Sequence, residues 1–157
     1  MRQGQIFTEI NSIQTAMDST GVKLTFRPAG SPIQVVRFGV NISIALVDDT
    51  FTMELQQRTH NAAGTLAAAV AVGGKSCDSV ARTAGHVIYA DLDTDGAGGV
   101  ICKPGDQLEL NVTAGATSGD GFSWIQYQQM NFDKTGPNGD FSDAVRTSRM
   151  IDGSTDL

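Results

Sequence analysis

The sequence predicts an all-β protein, an antiparallel β-sandwich or jelly roll of about seven to eight strands with extended N- and C-terminal arms. Three observations lead there. Apolar residues recur with a period of two in several separate segments. Turn signals punctuate the central stretch of about 110 residues at intervals of roughly 8–12 positions. Strand-like segments do not alternate with helix-like ones, which argues against a parallel α/β sheet, and no repeat of solenoid or propeller length is visible.

The strands follow in chain order. Val22, Leu24 and Phe26 point one way while Lys23, Thr25 and Arg27 point the other. Pro28-Ala29-Gly30-Ser31-Pro32 is a turn cluster. A long run rich in β-branched residues follows through Ile33, Val35, Val36, Phe38, Val40, Ile42 and Ile44, with Gly39 as a bulge or bend. After Asp48-Asp49, Phe51, Met53 and Leu55 alternate with Thr52, Glu54 and Gln56 as in a half-buried strand. Ala62 to Val72 reads as a strand of small side chains, and Ser76 to Arg82 as a short helix or loop. In His86 to Leu92, Val87 and Tyr89 share one face and Ile88, Ala90 and Leu92 the other. Val100 to Lys103 is short and stops at Pro104-Gly105-Asp106, a pair suited to a type II turn. Leu108, Leu110 and Val112 alternate with polar residues, Gly115 to Gly121 reads as a loop, and the last strand spans Gly121 to Phe132.

These boundaries divide the chain into an arm over 1–21, a sandwich over 22–132 and a second arm over 133–157. The first arm carries Ile6, Phe7, Ile10, Ile13, Ala16 and Met17 along one stripe. The last 25 positions hold few apolar groups, so they cannot offset their ordering entropy by self-burial and need a partner surface to fold against.

Composition narrows the function. Seventeen acidic against eleven basic residues give a net charge of −6, which disfavours nucleic acid as the main partner. No apolar run reaches the ~18 residues of a membrane helix. The start, Met1-Arg2-Gln3-Gly4-Gln5, lacks an export signal core, so synthesis in a cytoplasm is expected, with Cys77 and Cys102 as free thiols rather than a bridge. Asn41-Ile42-Ser43 and Asn111-Val112-Thr113 match the glycosylation pattern but are read as unmodified.

Residue chemistry offers several weak sites. Asp91, Asp93 and Asp95, followed by Gly96, match the first half of a calcium loop, since a hard cation wants several oxygens. The twelfth position, where a bidentate Glu belongs, is Cys102. The bland reading, an acidic turn, is preferred and no metal cofactor is assigned. Gly73-Gly74-Lys75-Ser76 is similar to a phosphate loop but has Ala69 where the first glycine is required. His60, His86, Cys77 and Cys102 lack zinc-ligand spacing. No nucleophile elbow is present, and the chain is not expected to be an enzyme. Phe122, Trp124 and Tyr127 form either a sugar platform or part of the core.

The segment Lys103-Pro104-Gly105-Asp106-Gln107-Leu108-Glu109-Leu110-Asn111-Val112, with Gly121 to Tyr127 beyond its loop, resembles the last hairpin of trimeric jelly rolls of the tumour-necrosis-factor-like and C1q-like kind. The same pattern is similar to the small head-decoration, or cement, proteins of tailed bacteriophages, over about residues 33–132. That resemblance implies a structural virion protein, a homotrimer made in the host cytoplasm. It would bind the major capsid protein on the outside of the head, without cofactor, nucleic acid or membrane. The expected contacts are Ile6, Phe7, Ile10 and Phe141 as apolar anchors and Arg2, Arg146 and Arg149 as charged ones. The alternative is a lectin-like or receptor-binding jelly roll of a tail or fibre, using Trp124 or the Asp91–Asp95 loop. A glycoside hydrolase fragment is the remaining reading.

Overall fold

A computed structural model describes residues 5–47, 51–78, 83–92 and 100–130, with backbone alone for 73–78. The described residues form ten strands: β1 (Ile6–Ile10), β2 (Thr15–Ala16), β3 (Gly21–Phe26), β4 (Ile33–Val47), β5 (Thr52–Arg58), β6 (Val70–Asp78), β7 (Val87–Asp91), β8 (Val100–Cys102), β9 (Gln107–Ala114) and β10 (Ser118–Gln129). They pair into two antiparallel sheets. One, of six strands, has the order β1-β10-β4-β7, with β2 also on β10 and β8 also on β4; the other has the order β3-β9-β5-β6.

Two pairs of short strands are each one interrupted edge strand. β1 pairs with Trp124 to Gln128 and β2 with Asp120 and Gly121, so both run along the same side of β10. The amides of Asn11 and Met17, bonded to the carbonyls of Ser123 and Gly119, continue that ladder. β7 and β8 likewise run along one side of β4, and the Leu92 amide bonded to the Val36 carbonyl lies between them. Counting each pair once leaves eight strands. Their order is β1/β2-β10-β4-β7/β8 over β3-β9-β5-β6, which is jelly-roll connectivity.

The core lies between the sheets. Phe38, Val40 and Ile125 from the six-stranded sheet meet Met53, Leu55, Leu108, Leu110 and Val112 from the other, all essentially inaccessible. The alternations through Phe51, Met53 and Leu55 and through Leu108, Leu110 and Val112 point inward as the period of two requires. Ile88, Ala90 and Leu92 also face the core, with Val87 and Tyr89 outside. Asp106 donates its amide to the Lys103 carbonyl, and Gly105 sits at φ +95°, the left-handed position of a type II turn.

Several elements depart from the sequence reading. Residues 5–21 are not an arm outside the sandwich: β1 and β2 close one edge of the six-stranded sheet, and the Met17 side chain is fully buried. Residues 62–69 are a compact loop rather than a strand. The Asn61 carboxamide oxygen accepts from the amides of Ala63 and Thr65, an Asx-type turn that outcompetes strand pairing. Gly73 to Ser76 lie inside β6, so they form no phosphate-cradling loop, and Ser76 to Asp78 are strand rather than helix. β10 begins at Ser118, taking in the end of the expected loop. A bulge between Val22 and Leu24 leaves Val22 outside the face that Leu24 shares with the core.

Gly39 is not at a bulge. It pairs regularly with Trp124 and with Tyr89. The irregularities of β4 against β10 fall instead between Gln126 and Tyr127 and between Ser118 and Gly121. They explain why consecutive residues of β4, such as Val35 and Val36, are both buried. The C-terminal arm, 133–157, lies outside the described residues.

Candidate functional site

An antiparallel sheet with one face on the core usually presents polar residues on the other. The four-stranded sheet obeys except at Val22, which lies opposite Asn111 and is exposed. Its outer face carries Thr25, Glu54, Gln56, Glu109 and Asn111, placed side by side by the register of β3, β9 and β5. Glu109 is 4% exposed, and one of its oxygens accepts from Arg58 Nε and from Gln107 Nε2, each at 2.6 Å. Arg27 Nε extends this network to Gln107 Oε1 at 2.9 Å.

The six-stranded sheet does not obey. Its register places Ile10, Trp124, Gly39 and Tyr89 in one row across β1, β10, β4 and β7. Trp124 reaches over Gly39. A Cβ at that position would meet the Ile88 carbonyl, Tyr89 Cβ at 2.8 Å and Trp124 Cζ2 at 2.9 Å, so a residue without a side chain is required. The indole nitrogen of Trp124 donates to Asn41 Oδ1 at 2.8 Å. One row beyond, Ile6, Gln128, Gln34 and Ile101 align. Val87 lies opposite Asn41, which pairs with Phe122. Five exposed apolar groups therefore share this face: Ile6 (49%), Ile10 (44%), Val87 (49%), Tyr89 (57%) and Ile101 (43%); Ile13, Ile44 and Val47, and Val22 and Val70 of the four-stranded sheet, are exposed as well.

Between these rows runs a polar one, Thr8, Gln126, Arg37 and Asp91. Its members bond to one another. Arg37 Nη2 meets Asp91 Oδ2 at 3.1 Å, Arg37 Nη1 donates to Gln126 Oε1 at 3.5 Å, and Gln126 Nε2 donates to Thr8 Oγ1 at 3.3 Å. The guanidinium also lies 5.7 Å from the centre of the Tyr89 ring, within cation–π range. Gln128 donates to Gln34 in the same manner, at 3.4 Å. Arg37 and Asp91 are the only charged residues in these rows, so their net charge is zero.

The expected contact residues distribute unevenly. Ile6, Ile10 and Asp91 come together on this face. Phe7 does not: it pairs with Tyr127 on the core side of β1, rings 5.7 Å apart, and Tyr127 in turn meets Phe26 of β3 at 5.1 Å. Phe7 therefore closes one end of the sandwich rather than anchoring a partner. Burial, with the Glu9 charge adding to it, pushes the Tyr127 phenol above its ordinary pKa. Arg2, Phe141, Arg146, Arg149, Asp93 and Asp95 lie outside the described residues. Asp91 is committed to Arg37, and no group of three metal-ligating side chains occurs among the described residues. Trp124, the proposed sugar platform, is only 7% exposed.

A second cluster sits at one end of the sandwich. The Asp106 carboxylate accepts from the His60 amide (3.1 Å), His60 Nδ1 (2.8 Å), Gln57 Nε2 (3.1 Å) and the Lys103 amide (3.3 Å). Burial alone would raise the Asp106 pKa, but these bonds to its charged form hold it below the ordinary 3.8. The His60 ring lies against Gly105, at 2.9 Å from where a Cβ would stand. Cys102 nearby is a free, buried thiol, pushed up to about 12 by burial and then by the Asp106 charge. A thiol held protonated is no nucleophile. The cluster fastens the loop after β5 to the turn before β9.

Comparison with known protein families, with curated proteins and with solved structures gave no match.

Proposed function

We propose that this chain is a structural assembly module, a capsid decoration protein that binds the outside of a viral head through the major capsid protein and braces it. One observation carries the reading: an outer sheet face with five half-exposed apolar residues and a neutral, internally bonded polar row. Such a face suits contact with protein. A sugar platform needs an exposed aromatic face, and the indole here is covered. A charged small ligand would need unpaired charges, and Arg37 and Asp91 neutralise each other. The double-sheet frame supplies the stiffness that a lattice brace requires, and repetition on a lattice supplies avidity.

The test is co-sedimentation of the full chain with heads assembled from the major capsid protein encoded nearest to it. The reading predicts saturation at a fixed copy number per capsid subunit and heads that rupture at a higher temperature. Unbound protein at every concentration would refute it. Tyr89, exposed beside Arg37 and Asp91, favours the glycan-binding module as a second reading. Saturable quenching of tyrosine fluorescence by oligosaccharides, lost in Tyr89→Ala, would establish it instead.

A further inference from the structure

We propose that one end of the sandwich is a docking surface for an acidic protein segment, whose carboxylates are received by Arg27 and Arg58. This end is separate from the outer face that carries the proposed function, and the inference goes beyond that reading.

Both sheets build this end. β3, β5 and β8 finish there, and β4 and β9 begin there. The Gln57 carboxamide, donating to the Ile101 carbonyl at 3.4 Å, and the Phe26–Tyr127 ring contact tie the sheets together at this end. Among its described residues, 26–34, 57–70, 100–109 and 127–130, the only acids are Asp106 and Glu109. Both are nearly inaccessible, at 3% and 4%. Both are also committed, Asp106 to His60, Gln57 and Lys103, and Glu109 to Arg58 and Gln107. The bases are open: Arg27 and Lys103 are exposed, and the Arg58 side chain is half-buried. A chain of net charge −6 thus turns positive charge to solvent here. The opposite end has the reverse pattern. Asp18 is exposed there and Glu54 and Asp120 are half-buried, while Lys23 is the only lysine or arginine among residues 15–23, 43–47, 51–54, 83–87 and 111–121.

Geometry adds to the surplus of charge. Arg27 directly follows β3 and Arg58 ends β5, the two strands that flank β9, so their backbones stand about 10 Å apart on either side of Gln107. Arg27 Nε donates to Gln107 Oε1, Arg58 Nε to Glu109 Oε2, and Arg58 Nη1 to the Ala67 carbonyl. Each guanidinium is therefore held by its inner nitrogen. The two Arg27 Nη atoms and Arg58 Nη2 have no partner among the described residues. A guanidinium oriented in advance loses little freedom when a carboxylate meets its free nitrogens, and a pair suits a segment with several carboxylates. A nucleic acid fits less well, because its phosphates run on past two arginines into the field of an acidic chain.

The experiment is fluorescence anisotropy on the full chain, with a labelled peptide of alternating Glu and Ser as probe. The same peptide with Gln for Glu is the control, and a labelled single-stranded oligothymidine is the competing class. The glutamate peptide should bind saturably at low salt and release as salt rises to about 0.2 M. Arg27→Glu should weaken it roughly tenfold or more. Arg27→Lys should weaken it less, because the charge stays while the fork is lost. Lys23→Gln, at the opposite end, should leave binding unchanged. Arg27 has no carboxylate partner among the described residues, so its loss should spare the circular dichroism spectrum. If Arg27→Glu fails to fold, Lys103→Glu, at the exposed turn, carries the same expectation. Failure of the unaltered chain to bind, equal binding of the glutamine peptide, or equal weakening by the Arg27 and Lys23 variants would overturn the inference. Tighter binding of the oligothymidine would overturn it in favour of nucleic acid.

Discussion

The two sheets share one core and one architecture, yet their outer faces differ. That of the four-stranded sheet is polar apart from Val22 and is built around the Glu109–Arg58–Gln107 network, as a solvated face should be. That of the six-stranded sheet has Ile6, Ile10, Val87, Tyr89 and Ile101 exposed around a charge pair that cancels itself. Folding alone requires only that each sheet bury one side. A sheet apolar on both sides therefore carries information about assembly rather than about the fold. The distinction separates residues whose loss should cost stability from residues whose loss should cost contact.

Core truncations should hurt most, and should do so equally from either sheet. Phe38→Ala and Leu110→Ala each remove a fully buried side chain from opposite walls of the core. Each should cost about 3–5 kcal/mol in denaturant unfolding. A large difference between the two would mean the sheets do not share one core. Gly39→Ala comes next. Its Cβ meets backbone and the Trp124 ring, so about 1–3 kcal/mol of overpacking cost is expected, with a shift in indole fluorescence. This substitution tests the outer face without touching the inner one.

Glu109→Gln should destabilise by about 1–2 kcal/mol, since it removes the charge from a nearly buried group that two donors share. No residue of the other outer face should behave so. The Asp106 cluster adds a pH dependence of the same kind. Because the folded carboxyl titrates below 3.8, its contribution is complete above that value and is lost as pH falls through the lower, folded one. Acid unfolding curves of Asp106→Asn should be flatter than those of the parent below about pH 4, with less stability at neutral pH. The smallest effect on stability belongs to the outer face. Val87→Thr and Ile101→Thr should change unfolding free energy by no more than about 0.5 kcal/mol while weakening protein contact.

How much of this was legible in the sequence follows from what each feature depends on. β5, β7 and β9 were readable because a strand with one buried side writes its period of two directly. The turn before β9 was readable because Pro104 and Gly105 fix backbone angles locally. β4 was harder, because its bulges shift the phase and bury Val35 and Val36 together. β1 and β2 read as an arm in the sequence because an interrupted edge strand shows neither a clean alternation nor a turn of standard length. The outer face was out of reach as a whole: Ile10, Gly39, Tyr89 and Trp124 become neighbours only through the register of three strand pairs. A partial signal was present in His86 to Leu92, where both faces are apolar, the mark of a strand covered on both sides.

Hydroxyl-radical footprinting of the full chain, read at Tyr89 and at Val22, tests the central claim most directly, because both side chains are open in a single copy and lie on different sheets. The account predicts that Tyr89 labelling falls steeply as capsids are added while Val22 labelling stays constant. Equal labelling of Tyr89 with and without capsids would contradict it.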